Sequence, residues 1–519
     1  MNYFFQNLVF LVLIDIYLSI IYNRLSKKKQ VIILTTRNAH HIYNKYIDLL
    51  LRNELNAPSP LLEDLFNRKD YEYLLKPVLN IIKENPQASL TTLRLKLFLR
   101  SGLKEIIDNF VNLTKITPGV ILDFGTYKTR DTVLCGKRQE YVMENGILVP
   151  NELDIEQDTI FDLASTSKLF TSVAILKVYE TGLIDIFDPI NKYVPEFKNL
   201  EDVTVYELLK FSANIGTDTR IDSAKNKEEA EQILFGAHKR YEHLNNAYTD
   251  IGAMILRYVV ERVTNMSFVD FVNAEIFKKA DMVDTYLNVP EEKLYRVANE
   301  NYSSIVNSDG SITTKYDNVP GTAHDSKALS MGHAMGIAPG HAGFFSTKDD
   351  MVKFANALIK GDIISKNLVM TMGDTATFFQ EENGKYTYNY GSLVYGKQKD
   401  PKYLSVYAPL SGRAFMSPGF AGTTLVIDPV NELSLFIGAN RLHNRIYQIH
   451  PNYKDKIIVD EHNKKTFLMP DGSEKIISAD YTKEKEVMVR LALDLTLQYQ
   501  LLEKIYPQEK EMHLVRELN

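Results

Sequence analysis

The segment from Phe161 to Gly182 (FDLASTSKLFTSVAILKVYETG) constrains the fold of this chain more than any other segment does. After Ser165 it is apolar nearly all round. A helix of that kind lies inside a core, because it has no face that can be left in water. Gly182 is a suitable end for the helix. A chain of 519 residues is long enough to surround it with other elements.

Strand patterns lie before and after this helix. GVILDFGTY and DTVLCGKR, on either side of the turn KTRD, predict a β-hairpin soon after Pro118. Helical patterns fill the middle of the chain, and the strand-like runs RAFMSPG, AGTTLVIDP and ELSLFIGAN follow late. A hairpin, helices and further strands in one core predict an α+β fold. We expect an antiparallel sheet flanked by helices, with edges drawn from both ends of the domain, and an all-helical lobe.

The chain divides into three predicted regions. Residues 1–29 form a hydrophobic N-terminal segment, whose residues 4–22 approach the ~20 residues that span a bilayer. We predict that this segment associates the protein with a membrane of the cell envelope. A buried or interfacial helix is the alternative, because Asp15 lies mid-segment, where a carboxylate is costly. Residues 30–101 have helical periodicity and predict a connector or packing module, and residues 102–519 form the main domain.

Charge and cysteine content exclude several classes of protein. The net charge of −6 gives no reason to expect nucleic acid as a partner. The single cysteine, Cys135, allows no intrachain disulfide. No group of His, Cys and carboxylate residues has the spacing of a zinc site. We therefore predict neither a metal nor another cofactor.

Ser165 and Lys168 are the residues of the buried segment that carry chemistry. Three positions apart on a helix, they lie on one face. A serine at a helix N-terminus has a favourable dipole for a developing anion. A partly desolvated lysine one turn later can be neutral near pH 7 and accept the serine proton. A second Ser-x-x-Lys match, at Ser101 and Lys104, lies in an amphipathic, surface-like helix, and we interpret it as a chance match.

Four blocks of sequence follow one another in the main domain: FDLASTSKLF with the following GLIDIFDPINKYVPEF, YTDIGAMILRYVVERVTNMSFVDFV, APGHAGFFSTKDDMVKFANAL and SPGFAGTTLVIDPVNELSLFIGANRLHN. In this order they resemble the serine beta-lactamase-related and penicillin-binding-protein-like hydrolases, in the branch of class C beta-lactamases, D-aminopeptidases and esterases. The resemblance implies that residues 102–519 are a beta-lactamase-like serine hydrolase domain, with Ser165 as nucleophile and Lys168 as base. It also implies an acyl-enzyme and small-molecule or cell-wall-derived partners: D-amino-acid-containing amides or esters, β-lactams, or small carboxylic esters.

Within this resemblance, Tyr248 takes the place of the second-motif tyrosine, which would relay protons between Ser165, Lys168 and the leaving group. Asp250 takes the place of the third residue of that motif. A carboxylate there can pair with Lys168 and hold it in place, although it also favours the charged lysine. The segment from His243 to Asn245 is a competing frame for the motif, and its spacing to the next helix fits less well.

The third motif departs from the family pattern. The family usually has Lys or His, then Thr and Gly, whereas this chain has Ser417, Pro418 and Gly419. No cation stands at position 417 to hold a substrate carboxylate, and Pro418 predicts an edge strand. Gly419 still permits close backbone approach. The Phe420 N–H would then complete an oxyanion hole with that of Ser165. The predicted oxyanion and substrate-binding residues are therefore Ser165, Ser417, Gly419 and Phe420.

Other departures keep a rival interpretation open. The family's LLTHTSG block reads LLKFSANI from Leu208 to Ile215, and Arg257 replaces a common Gly after the second motif. With no cation at position 417, these changes are also compatible with a non-catalytic, envelope-associated binding protein that retains the fold.

His341, in Pro-Gly-His-Ala-Gly, has two interpretations. It could belong to a Ser-His-Asp triad. The segment also has the form of a turn before a helix that is capped by Ser346 or Thr347. We favour the turn, because Lys168 already supplies a base.

Overall fold

The computed structural model describes residues 72–240, 248–316, 319–374, 377–380, 386–397, 406, 410–461, 464–478 and 482–505. The predicted N-terminal segment, residues 1–29, lies outside these ranges, as does the competing second-motif frame from His243 to Asn245. Among the residues that are described, no helix combines the length and the apolar character that are needed to cross a membrane.

The α-helices and strands of the described residues are numbered in chain order. The described helices are α1 (Glu72–Glu84), α2 (Leu90–Lys96), α3 (Phe98–Asp108), α4 (Lys168–Glu180), α5 (Ile190–Tyr193), α6 (Val205–Leu209), α7 (Lys227–Phe235), α8 (Asp250–Thr264), α9 (Phe268–Val272), α10 (Ser326–Ser330), α11 (Lys348–Lys360), α12 (Lys366–Met372) and α13 (Thr482–Ile505). The described strands are β1 (Gly119–Thr126), β2 (Arg130–Glu144), β3 (Ile147–Asp154), β4 (Ile160–Asp162), β5 (Ile215–Gly216), β6 (His238–Lys239), β7 (Ser304–Val306), β8 (Ile312–Thr314), β9 (Phe345–Thr347), β10 (Thr377–Gln380), β11 (Tyr386–Tyr390), β12 (Tyr395–Gly396), β13 (Phe415–Pro418), β14 (Thr424–Asp428), β15 (Leu433–Ala439), β16 (Ile446–Ile449), β17 (Ile457–Val459), β18 (Lys465–Leu468) and β19 (Glu474–Ile476).

A large antiparallel sheet forms the centre of the molecule. Its strand order, within the described residues, is β10-β11-β12-β13-β14-β15-β1-β2-β3. Strand β1 pairs with its hairpin partner β2 and with the late strand β15, so that Val120 lies opposite Ala439 and Thr126 opposite Leu433. The pairing of β1 with β15 joins strands from the two ends of the domain. The predicted α+β fold, an antiparallel sheet with flanking helices, is confirmed.

The two faces of the sheet bury different side chains, because successive residues of a strand point to opposite faces. On one face, Ile121 joins a core that includes residues of α4, α8 and α11. On the other face, Val120, Leu122 and Phe124 pack with residues of α1, α2, α3 and α13. The sheet therefore separates two helical layers.

Helices from both ends of the described chain meet behind the sheet. Arg100 of α3 donates from Nε to Asp131 Oδ2 in β2 at 2.8 Å, and the Tyr499 hydroxyl of α13 donates to the same oxygen at 2.7 Å. All three side chains are buried, so the carboxylate has the partners that a buried charge requires. Residues 72–101, the described part of the predicted helical module, thus pack in this layer.

Helix α4 is buried almost all round, as its sequence predicts. Leu169, Phe170 and Val173 have no exposed surface. The helix ends at Glu180, and Gly182 follows with φ 75°, the left-handed conformation that commonly ends a helix. The turn that precedes α4, Ala164–Ser167, is therefore held at the end of a buried helix.

Strand β13 is not at the edge of the sheet, so the edge position expected from Pro418 is wrong. Strands β10, β11 and β12 lie beyond it. However, the only residues of β13 that pair with β12 are Phe415 and Met416. Pro418 extends past the end of β12 and pairs only with Thr424 of β14. Proline is tolerated here because no residue of β12 lies opposite it.

Candidate active site

Ser165 lies in a short 3-10 turn, Ala164–Ser167, directly before α4. Ala164 has φ 43°, a left-handed conformation that is uncommon for a residue with a side chain. Asp162 holds this turn, because its Oδ1 accepts from the Ala164 N–H at 2.7 Å and its Oδ2 from the His324 N–H at 2.9 Å. Burial raises the pKa of Asp162 to about 6 in spite of these two donors. Ser165 therefore follows a strained residue, Ala164, whose N–H is held by the Asp162 carboxylate.

Lys168 is the direct partner of Ser165. Its Nζ donates to Ser165 Oγ at 2.8 Å, to Asp250 Oδ1 at 2.8 Å and to the His341 carbonyl O at 3.2 Å. The Lys168 side chain is only 1% exposed, so these acceptors take the place of water. The residues predicted as nucleophile and base are therefore in hydrogen-bond contact.

Lys168 is charged in the resting site. Burial acts to lower its pKa, but Asp250 and then Tyr248 outweigh burial and raise the pKa above its ordinary value. Burial would raise the pKa of Asp250, but its cationic neighbours, Lys168 above all, hold it well below its usual range. The expectation of a lysine that is neutral near pH 7 is therefore wrong for the resting site, because the ion pair outweighs desolvation. A proton must leave this group before Lys168 can accept one from Ser165.

Tyr248 lies beside Lys168 in a cluster of aromatic rings. The Lys168 Nζ is 4.9 Å from the centre of the Tyr248 ring, which is within cation–π distance. The ring stacks with Phe211, at a centroid separation of 5.0 Å, and with Tyr395, at 6.0 Å. Phe211 stands where the LLTHTSG block of the family has its histidine, so this departure supplies a stacking partner for the second-motif tyrosine.

A second lysine, Lys327, shares the Asp250 carboxylate. Its Nζ donates to Asp250 Oδ2 at 2.8 Å, whereas Lys168 occupies Oδ1. Lys327 lies in α10, and Asp325, the N-cap of that helix, lies with Oδ1 3.0 Å from His341 Nε2. Asp325 and Lys327 are not predicted from the sequence, because neither belongs to a motif and their partners are distant in the chain.

Asp250, Asp325 and His341 bring three ligand-type atoms within 4.8 Å of one another. Their spacing in the sequence does not reveal this cluster. Both oxygens of Asp250 already accept from the ammonium groups of Lys168 and Lys327 at 2.8 Å, and two cations so close oppose the binding of a metal dication. The residues therefore fit an ion-pair network and do not fit a metal centre.

The ring of His341 contacts Asp325 and not Ser165, whose hydroxyl is bonded to Lys168. The structure therefore does not assemble a Ser-His-Asp triad around His341. Thr347 caps α11 by accepting from the Asp350 N–H, which confirms the interpretation of this segment as a turn before a capped helix. His341 contacts Lys168 through its main-chain carbonyl.

The third-motif segment packs directly on the nucleophile turn. Thr166 Oγ1 donates to the Ser417 carbonyl O at 3.2 Å, and Thr423 Oγ1 donates to the Leu163 carbonyl O at 2.9 Å. A Cβ atom at Gly419 would lie 2.4 Å from the Leu163 carbonyl O. As predicted, the two backbones approach closely at Gly419, and only glycine fits there.

Ser417 and Phe420 differ in their access to solvent. Ser417 is 3% exposed, whereas Phe420 is 46% exposed. Within the described residues, the Phe420 N–H has no intramolecular acceptor. The Arg441 guanidinium lies 4.7 Å from the centre of the Phe420 ring, and its Nε donates to the Phe420 carbonyl O. Arg441 therefore places a cation beside the third motif, although position 417 itself has none.

The remaining departures from the family have structural partners of their own. Lys210 donates to the carbonyl oxygens of Thr371 at 3.0 Å and Asp374 at 2.9 Å, and burial lowers its pKa to about 8. Arg257 is buried and pairs with Glu261 at 3.2 Å. Both residues thus take part in the packing of the helical region.

Several known proteins are similar to this chain. Residues 140–456, more than half of the chain, match the family model described as Beta-lactamase. A curated relative from Salmonella gallinarum, a putative D-alanyl-D-alanine carboxypeptidase, is 25% identical over 336 residues, which cover 60% of this chain and 76% of the relative. A relative of the same description from Salmonella typhi matches equally well, at 25% identity over 336 residues.

Two solved structures are also similar to this chain. The hydrolase EstCE1, described as having promiscuous acyltransferase activity, is 14% identical with a TM-score of 0.50 and covers 66% of this chain and 93% of that protein. A Beta-Lactamase/D-Alanine Carboxypeptidase from Pseudomonas syringae is 15% identical with a TM-score of 0.49 and covers 66% and 94%. The family match takes in the sheet strands from β3 to β15, the buried helix α4 and the Ser165–Lys168 pair. The chain therefore belongs to the Beta-lactamase family of serine beta-lactamases and penicillin-binding-protein-like hydrolases.

Proposed function

We propose that this protein is a serine hydrolase that cleaves ester or amide bonds through an acyl-enzyme on Ser165. The observation that carries the proposal is the 2.8 Å contact between Ser165 Oγ and Lys168 Nζ. A serine hydroxyl with a basic partner at this distance can lose its proton as it attacks a carbonyl. Membership of the Beta-lactamase family supports hydrolysis as the class of reaction.

The proposed first step transfers the acyl group to Ser165. One proton leaves the group formed by Lys168, Tyr248 and Asp250 for the solvent, and Lys168 then accepts the Ser165 proton while Oγ bonds to the carbonyl carbon. The N–H groups of Ser165 and Phe420 stabilise the resulting oxyanion. The proton passes through Tyr248 to the leaving group as its bond to the carbonyl carbon breaks. Water then gives a proton to Lys168 and bonds to the acyl carbon, the bond from Ser165 Oγ to that carbon breaks, and Ser165 takes the proton back from Lys168.

The proposed substrates are uncharged or cationic esters and amides, among them D-alanyl esters of the cell envelope. Position 417 supplies no cation and Pro418 no N–H donor. A substrate carboxylate would therefore lack a charge-assisted hydrogen bond worth ~1.5–3 kcal/mol. This argues against penicillins and acyl-D-Ala-D-Ala peptides as the best substrates. The D-alanyl unit is supported by the relatives described as putative D-alanyl-D-alanine carboxypeptidases.

Labelling with a fluorophosphonate, followed by intact-mass measurement, tests the proposal. The wild-type protein should gain one adduct and Ser165→Ala none. Ser101→Ala is the matched control, since it alters the exposed serine of the second Ser-x-x-Lys match, and it should react like the wild type. Equal labelling of the wild type and Ser165→Ala would contradict the assignment. A folded wild-type protein that gains no adduct would instead favour a non-catalytic binding protein.

We also propose that residues 4–22 associate the protein with a membrane, as their apolar character and length suggest. Removal of residues 1–29 should move the protein from the membrane fraction to the soluble fraction after cell lysis. A full-length chain found wholly in the soluble fraction would contradict this proposal.

A further inference from the structure

Two ammonium groups share the Asp250 carboxylate, and one of them comes from Lys327, which lies outside every family motif. We propose that Lys327 is a positioning residue, which orients Asp250 and through it prepares Lys168 to take the Ser165 proton. This inference rests on the proposed function, because it assigns Lys327 a part in the same reaction.

The geometry fixes the carboxylate from both sides. Asp250 is the first residue of α8, after the N-cap Thr249, so its backbone is held by the helix. Lys168 contacts Oδ1 and Lys327 contacts Oδ2, each at 2.8 Å. A carboxylate is planar, so the contact at Oδ2 determines where Oδ1 points. Asp250 cannot turn towards one lysine without leaving the other.

The short helix α10 reaches Lys168 along two paths. Through Lys327 it contacts Asp250, whose other oxygen contacts Lys168. Through its N-cap Asp325 it contacts the ring of His341, whose carbonyl O accepts from Lys168 at 3.2 Å. The Lys168 ammonium is therefore held between two groups that α10 positions.

The charges explain why Lys327 favours proton transfer. Asp250, Asp325 and, more distantly, Asp222 are the charged groups that face Lys327, and Asp250 keeps it protonated although burial acts against the charge. Asp250, Tyr248, the Ser165 hydroxyl and the His341 carbonyl face Lys168.

Without Lys327, the whole charge of Asp250 would act on Lys168, and no second cation would repel the proton there. Lys168 would then hold its proton more tightly. Lys327 thus favours the neutral form of Lys168, which can accept the Ser165 proton, while it keeps Asp250 in place.

Lys327→Met and Lys327→Gln test this inference, since both remove the charge and only Gln keeps a hydrogen-bond donor. The test is to measure kcat and KM of the wild type and of each variant for the uncharged ester p-nitrophenyl acetate, from about pH 6 to about pH 10. The rising limb of kcat/KM should move to higher pH by about one unit, so that activity at a fixed pH on that limb falls about tenfold. KM should stay unchanged, and Lys327→Arg, which keeps the charge, should restore the wild-type profile.

Lys279→Met is the matched control. Lys279 is 36% exposed, compared with 33% for Lys327, and it also pairs with a carboxylate, that of Glu275. It should keep the wild-type pH profile. An unchanged profile in both Lys327 variants of an active protein would overturn the inference. So would a rise in KM for anionic esters alone, because Lys327 would then bind substrate. Absence of fluorophosphonate labelling at Ser165 in the wild type would instead be a failure of the proposed hydrolase function.

Discussion

Gly419 lies where the third motif meets the nucleophile turn, and an alanine there has no room. In Gly419→Ala the new Cβ would lie 2.4 Å from the Leu163 carbonyl O and 2.3 Å from Thr423 Oγ1. Thr423 Oγ1 itself donates to the Leu163 carbonyl O, so the hydroxyl cannot rotate away without losing that bond. Cβ contacts below 3.0 Å are essentially never observed. The two backbones must therefore separate by about 0.6 Å, the difference between 2.4 Å and 3.0 Å.

That displacement is small for the fold and large for the site. Overpacking of this kind costs about 1–3 kcal/mol, which lowers a melting midpoint by a few degrees. Loss of one oxyanion donor costs about 10²–10³ in rate, and Phe420, the predicted donor, follows Gly419 directly. We therefore expect Gly419→Ala to fold, to melt slightly lower and to react with a fluorophosphonate about 100-fold more slowly.

The assay combines the second-order rate of Ser165 labelling with thermal melting of the same sample. Gly412→Ala is the control, because a Cβ at Gly412 would meet no atom within 4 Å, and both measurements should match the wild type. Labelling of Gly419→Ala at the wild-type rate would refute the reasoning from close approach. Loss of cooperative melting would show that the cost falls on the fold and not on the site.

Three further changes probe the same region. In Asp250→Asn the pKa of Lys168 should fall, because burial still acts while the opposing charge 2.8 Å away is gone. The rising limb of the pH–rate profile should then move to lower pH by about one unit or more. A limb that stays in place or moves to higher pH would contradict the role of the ion pair. Ala164→Gly should raise the melting midpoint slightly. It relieves the about 1–2 kcal/mol that the left-handed conformation costs a residue with a side chain, and this exceeds the about 0.4–1 kcal/mol by which the extra freedom of glycine stabilises the unfolded chain. A clearly lower midpoint would argue against strain at this turn. Ser417→Lys should raise kcat/KM for a penicillin relative to p-nitrophenyl acetate by about tenfold, and an unchanged ratio would mean that another cation, such as Arg441, already sets the response to anions.

The fold is largely predictable from the sequence, because burial leaves a periodic signal in long elements. Helix α4 is apolar nearly all round and is buried accordingly, and the runs that form β1, β14 and β15 are recognisable as strands. Strands β10 to β12 are not predicted. β12 has only two residues, too few to carry a pattern, and its pairing with Phe415 and Met416 is what removes β13 from the edge.

The site is predictable only as far as local motifs reach. Ser165 and Lys168 lie three residues apart, and Tyr248 and Asp250 two apart, so each pair forms a recognisable motif. Lys327 lies 77 residues after Asp250 in the chain, and nothing in its local sequence indicates that contact. The charge state of Lys168 also depends on the balance between burial and a 2.8 Å ion pair. The sequence identifies the two partners but gives neither their distance nor their burial.

The helical layer behind the sheet has a consequence for how the protein is made. Val120, Leu122 and Phe124 are covered by helices that include α13, whose residues 482–505 leave the ribosome about 350 residues after β1 does. At about 5–20 residues per second, the apolar back of β1 waits on the order of tens of seconds for its last covering element. During that interval the core around α4 can already form, while the apolar back of β1 stays exposed to chaperones or to aggregation. A truncation before α13 is therefore expected to act during synthesis, by leaving this apolar surface uncovered, and not by altering the active site.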